Sequence, residues 1–178
     1  MPNWCSGNIR FCGKTDDILR LLKENLKYYT YQYDEKTKRS ENVGKDAIVE
    51  WDDDNEMIQV CSPWEDSERS WCHINGTRRN FINLFSGPDF FSKATCIRNG
   101  RSIIVFDNFS AAWSIDPTPY VEMSKKYNVD IRIMGWERGV GFDQDIIVEK
   151  GEITRNACSE SKDYWDWIWD TEMPYLGG

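Results

Sequence analysis

Trp4, Ile9 and Phe11 stand as large apolar side chains among smaller and polar ones between Asn3 and Phe11, and Gly13 breaks the run, a pattern that reads as a first strand. A helix follows, capped by Thr15. Asp16 and Asp17 occupy its first turn, Ile18, Leu22 and Leu26 recur on one face, and Lys23 and Lys27 come late, matching the helix dipole. From Tyr28 to Asp46 the periodicity dissolves into tyrosines and the charged stretch Asp34 to Ser40, which predicts an exposed loop, mobile over Lys36 to Ser40. Ile48–Trp51 and Met57–Cys61 read as two strands joined by the turn Asp52-Asp53-Asp54-Asn55.

Further along, Thr77 caps an expected short helix reaching Phe85 and ended by Gly87-Pro88. Asn99-Gly100 supplies the positive φ angles of a tight hairpin turn between Ala94–Arg98 and Ile103–Phe106. Asp116-Pro117 opens a second helix with Tyr120, Met123 and Tyr127 on one face and Asn128 closing it. Val129, Ile131 and Ile133 alternate as a strand, and Phe142–Val148 with Glu152–Thr154 form a hairpin around Lys150-Gly151. Strand, helix, hairpin, helix and strand in that order predict an α+β fold, a ferredoxin-like split βαβ sandwich. The expected organisation is a single compound domain over 1–178, with an insertion at about 29–92, a C-terminal hairpin and an acidic aromatic tail over 156–178. Hairpin-then-helix blocks at Ile48–Phe85 and Thr95–Tyr127 hint at an internal repeat.

Composition narrows the functional classes. With 22 Lys and Arg against 30 Asp and Glu, the net charge of −8 argues against general binding to duplex nucleic acid and favours protein partners or basic surfaces. No leader and no apolar run approaching the roughly 20 residues of a membrane span is read, so the expected location is the cytoplasm of a bacterial host, with no membrane partner. Six cysteines without a CxxC pair read as free thiols in a reducing compartment. A zinc site from Cys61, Cys72, His73 and Cys96 lacks paired short spacings, and the Asp52–Asp54 run lacks the alternating ligands of a calcium loop. No metal and no cofactor is expected.

Met1-Pro2-Asn3-Trp4-Cys5, Phe109-Ser110-Ala111-Ala112-Trp113-Ser114, Ser124-Lys125-Lys126-Tyr127 and Glu137-Arg138-Gly139-Val140-Gly141-Phe142 resemble segments of the YubB-like proteins. This is a phage- and plasmid-borne group of uncharacterised proteins with a ferredoxin-like domain. The closing tail with Met173-Pro174 and Gly177-Gly178 is similar to phage-borne relatives. The chain departs from the group at Asn99–Ile103 and Trp113–Pro117. The resemblance implies a mobile-element origin and a fold, and carries over no catalytic residue.

The candidate chemistry is that of binding. Trp165, Trp167 and Trp169 alternate with polar or aliphatic neighbours in the tail, so an extended segment puts three indoles on one face, flanked by Asp163, Asp166 and Asp170. Such a tail either plates the protein's own core or docks on a basic groove. The first functional expectation is a non-enzymatic phage accessory protein that inhibits a host defence protein or ribonucleoprotein, an anti-CRISPR that occupies a nucleic-acid channel by charge complementarity. The alternative is an RNA-binding or RNA-processing protein, a nuclease if enzymatic, using sheet aromatics with His73, Arg78, Arg79 and Arg101, or the loop cations Lys36, Lys38 and Arg39. His73 is the single histidine, and adjacent strand residues Cys72 and His73 point to opposite faces, so no nucleophile–base pair follows from proximity. Asp143 and Asp145 share a strand face near Glu137 as a weak magnesium candidate, and Gly139-Val140-Gly141 is a weak phosphate cradle.

Overall fold

The structure, a computed structural model, describes residues 3–64, 70–82, 89–93, 96–98 and 100–160, with the backbone alone for 89–93 and 96–98. It begins with β1 (Trp4–Lys14), α1 (Thr15–Asn25), β2 (Leu26–Asp34), β3 (Arg39–Asp46), β4 (Ile48–Asp52) and β5 (Met57–Cys61). β6 (Ser70–Ile74), β7 (Asn80–Ile82), β8 (Asp89–Lys93), β9 (Cys96–Arg98) and β10 (Arg101–Ala112) follow. α2 (Thr118–Tyr127), β11 (Asp130–Glu137), β12 (Phe142–Glu149) and β13 (Glu152–Glu160) complete it. Strand accounts for 61% of the described residues and helix for 15%.

That balance overturns the ferredoxin-like α+β expectation. Nine strands run in the order β13-β12-β11-β1-β10-β7-β6-β2-β3 with antiparallel neighbours, β9 pairs with β10 as well, and β4-β5-β8 form a second sheet. The expected insertion is no appendage, because β2, β3, β6 and β7 extend the main sheet. The loop expected over 28–46 is a hairpin whose register is unbroken from Lys27↔Asp46 to Asp34↔Arg39. Its tip is tied by the Asp34 carboxylate, which accepts from the Lys36 N–H at 2.9 Å and the Thr37 hydroxyl at 2.9 Å. The expected helix after Thr77 is also absent from the described part, where Asn80–Ile82 is strand and Thr77 shapes the turn before it. The repeat read from a helix there falls with it. Residues 156–160, read as tail, belong to β13.

The two helices lie where their local signals place them, with small corrections. Lys14 rather than Thr15 precedes α1, and the Thr15 hydroxyl shares a 2.7 Å hydrogen bond with Ser102. Leu26 and Lys27 belong to β2. α2 is entered through Pro117, with the Asp116 carboxylate accepting from the Thr118 N–H at 3.0 Å, and it ends on Asn128 in the left-handed region at φ 56°.

One continuous core forms between the main sheet and the helices. Cys5, Ile9 and Phe11 of β1, Ile104, Phe106 and Phe109 of β10, and Ile131 and Ile133 of β11 face Ile18, Leu21 and Leu22 of α1 and Tyr120, Met123 and Tyr127 of α2. Val49, Ile58 and Val60 bring the second sheet into the same core. Gly7 lies opposite Gly135, and a Cβ at Gly7 would stand 1.9 Å from the Met134 carbonyl oxygen, so only glycine admits this approach of β1 and β11. The pairing of β1 with β10 shifts at this point, between Gly7 and Ile9. Among the described residues neither helix covers the opposite face of the main sheet.

Candidate nucleic-acid interface

Strand alternation decides what that second face displays. In β2, Leu26, Tyr28 and Thr30 enter the core, which turns Lys27, Tyr29, Tyr31 and Tyr33 outward. In β6 the buried Cys72 and Ile74 turn Trp71 and His73 outward, and in β7 the buried Asn80 and Ile82 do the same for Phe81. Cross-strand pairing then joins the rings. Trp4 and Phe81 meet edge to face at 5.8 Å, Phe81 and His73 lie 5.3 Å apart, and His73 meets Tyr29 at 5.8 Å. Tyr29 stacks with Trp71 at 6.4 Å, and Trp71 reaches Tyr31 at 5.0 Å.

Six rings thus form a diagonal row from β1 to β2. Its ends are open to solvent, with Trp4 43% and Tyr31 65% exposed and Tyr33 beyond it at 62%. Gly44 on β3 lies opposite Tyr29, where a Cβ would come within 2.6 Å of the ring. Its missing side chain lets that ring lie over the neighbouring strand.

Cations stand at both ends of the row. Arg78 and Arg79, exposed in the turn between β6 and β7, lie beside the Trp4 end, since the Ala112 N–H donates to the Arg79 carbonyl at 3.1 Å and Ala112 pairs with Trp4. Lys36, Lys38 and Arg39 occupy the tip of the β2–β3 hairpin beyond Tyr33. Segments 26–46 and 70–82 carry seven Lys and Arg against four Asp and Glu, the reverse of the whole chain's −8. Arg101 is not part of this group. It donates to Asp130 at 2.5 Å and to the Cys12 carbonyl at 3.3 Å, on β10 strand positions remote from the row.

His73 sits within the row as an aromatic member. Burial lowers its pKa from the ordinary imidazole value of 6.5, against a smaller opposing effect of the Thr77 backbone, and its Nδ1 is buried without a hydrogen-bond partner. Cys72 points into the core, where burial pushes its thiol up, so the two side chains lie on opposite faces of β6 as their adjacency implied. The zinc candidate does not assemble: Cys61 is on the second sheet, Cys72 is in the core, and the Cys96 side chain lies outside the described residues. Among the described residues no group of three His, Cys, Asp or Glu is placed to hold a metal ion.

The other weak candidates resolve into structural roles. Glu137 is 1% exposed on the core side, and its carboxylate accepts from the N–H groups of Gly139 at 2.5 Å and Val140 at 2.6 Å. The amides of the supposed phosphate cradle therefore already hold an internal anion. Asp143 accepts from Ser159, and Asp145 accepts from Arg132 and Arg155, on the face opposite Glu137. The three carboxylates do not converge. Trp165, Trp167, Trp169, Asp163, Asp166 and Asp170 lie outside the described residues. Among the described residues no helix is long and apolar enough to cross a membrane.

Comparison with protein-family models, curated proteins and solved structures found no match. The likeness to the YubB-like proteins thus rests on the quoted segments. Where described, these segments serve the fold: Phe109 and Ala111 are core residues, Ser124 is buried and accepts from the Gly151 N–H at 2.9 Å, and Glu137 closes its turn. The aromatic row had a legible signal that the sequence reading passed over. Tyr29, Tyr31 and Tyr33 recur with a period of two, which is the strand period, inside the segment read as loop.

Proposed function

We propose that the protein binds single-stranded nucleic acid, RNA in the first instance, along the aromatic row, without catalysing a reaction on it. The observation that carries this reading is six joined rings, with arginine or lysine at each end, on a sheet face that neither helix covers among the described residues. Aromatic rings accept the faces of successive bases with little regard to sequence, and flanking cations neutralise phosphates, so a chain that is acidic as a whole can bind a single strand through a locally basic surface. The row's one histidine has ring neighbours rather than a nucleophile or an acid beside it, which favours binding over cleavage.

The test is a titration of fluorescently labelled uridine and adenosine oligomers at several salt concentrations. Trp71→Ala and Tyr31→Ala are each expected to weaken binding by about 1–3 kcal/mol, with circular dichroism unchanged. Arg78→Ala or Arg79→Ala should reduce the slope of log affinity against log salt by about one each. No detectable association at low salt would sink the reading.

A second reading is favoured by the net charge of −8 and by exposed tyrosines of the kind enriched at protein interfaces. On it the protein is a mobile-element inhibitor that occupies the nucleic-acid channel of a host defence protein. Its mark is a complex that survives nuclease treatment, weakens as salt rises, and is weakened when Asp163, Asp166 and Asp170 are replaced by asparagine.

A further inference from the structure

The same sheet face carries a second cluster, away from the aromatic row, and its composition is not what stability alone requires. Arg10 on β1 lies directly opposite Arg132 on β11, Arg132 lies opposite Ile147 on β12, and Ile147 lies opposite Arg155 on β13. Three arginines are therefore set along one line across four strands. Like charges placed directly opposite each other destabilise a sheet, and such positions are ordinarily filled by β-branched or aromatic residues.

Asp145 orients the Arg132 and Arg155 guanidinium groups without saturating them. Asp145 accepts from Arg132 through Nε and Nη2, both at 3.1 Å, and from Arg155 through Nε at 2.8 Å. One carboxylate serves two guanidiniums, each with five N–H donors, and positive charge and donors remain. Asp107 stands close enough to Arg10 to feel its charge, although burial is the larger effect and raises that carboxyl's pKa. Asn8, two residues before Arg10 on the same face, is 5% exposed with its Oδ1 lacking a hydrogen-bond partner.

We infer that Arg10, Arg132 and Arg155 form a phosphate-oxyanion site, with Asp145 as the residue that positions two of the three arginines. Planar guanidinium forks match the oxygens of a phosphate, and holding them beforehand lowers the entropy lost on binding. The inference deepens the proposed function and rests on it for the source of the phosphate. Ser6, Ser110, Phe81 and His73 lie on one line across the sheet, and Arg10 is four residues further along β1, about 13 Å at strand rise. A strand whose bases stack on the rings has its backbone within reach of the arginine line.

The experiment uses the full chain in two arms. In the first, inorganic phosphate is added while the Nε–H signals of the arginines are followed by nuclear magnetic resonance; saturable shifts at Arg10, Arg132 and Arg155 are expected. In the second, oligouridine affinity is measured against salt for the wild type, Arg155→Ala and Arg155→Lys. Arg155 lies on an edge strand, so its loss spares the core even where an Arg10 variant fails to fold. Arg155→Ala should lower the salt slope by about one, whereas Arg155→Lys should keep the slope and bind several-fold more weakly. If oligouridine binds while the slope is unchanged in Arg155→Ala and phosphate moves none of the three signals, the site is refuted. Phosphate shifts without any oligonucleotide binding would uphold the oxyanion site and refute the proposed function. Stronger shifts with a glutamate-rich peptide than with phosphate would overturn the phosphate assignment in favour of an acidic protein partner.

Discussion

Tyr120 is fully buried, and its hydroxyl accepts a 2.6 Å hydrogen bond from the Asn80 side-chain amide, itself buried, so one polar contact joins α2 to β7 inside the core. Tyr120→Phe strands the Asn80 donor without water. The expected loss is about 1–3 kcal/mol in urea unfolding, and Asn80→Leu added to it should cost less than the sum of the two single changes, because the second removes the stranded donor. His73 gives a pH dependence of definite sign. Its folded pKa lies below the unfolded 6.5, so the unfolded chain binds the proton first; the full contribution to stability is present above 6.5 and is lost as pH falls through the folded value. Denaturation midpoints measured from pH 7.5 down to 5 should therefore fall less in His73→Phe than in wild type. These residues also show what sequence reading resolves at this scale. The opposed directions of Cys72 and His73 follow from a strand's two-residue period, whereas the Asn80–Tyr120 pair joins positions 40 apart and has no local signature.

At the scale of elements, both helices were legible because their signals are local: acids in the first turn of α1, a proline entry and an asparagine exit for α2, and apolar side chains at helical spacing. The β2–β3 hairpin was not, because charge at its tip outweighed the alternation of its tyrosines. Hydrogen exchange distinguishes the loop expectation from the hairpin. Amides of 27–30 in β2, flanked by both β3 and β6, should exchange slowly, while those of the turn at 35–38 exchange fast. Uniformly fast exchange across 27–46 would contradict the pairing. The contact of β1 with β11 offers a sharper test. Gly7→Ala drives a Cβ into the Met134 carbonyl, backbone that cannot swing aside, so the loss of stability should reach or exceed the upper end of the roughly 1–3 kcal/mol usual for overpacking.

For the whole molecule, the sheet order decides both fold and candidate site, and it is the part that the sequence withheld. Local pattern supplied strands and turns, but nothing in the spacing of Phe81, His73 and Tyr29 says that β7, β6 and β2 lie side by side and turn those rings the same way. The sheet separates the basic candidates: Arg78 and Arg79 lie beside the row, while Arg101 bonds with Asp130. Among the described residues the helices pack on one face of the main sheet, and the proposed recognition belongs to the other. If the proposed function holds, truncating rings of the aromatic row should change binding far more than stability, the reverse of changes at Phe11 or Phe106 in the core.

The position of β1 between β10 and β11 has a consequence for the birth of the chain. β1 leaves a ribosome well before either of its two partners: Cys12 and Arg101, which meet across β1 and β10, are 89 residues apart. At synthesis rates of roughly 5–20 residues per second, β1 waits about 5–20 s with its apolar side chains unpaired. Nascent chains stalled before residue 101 should accordingly remain protease-sensitive over 4–14. Resistance there should appear abruptly once β10 and β11 have both emerged, because a central strand gains its partners together rather than one turn at a time.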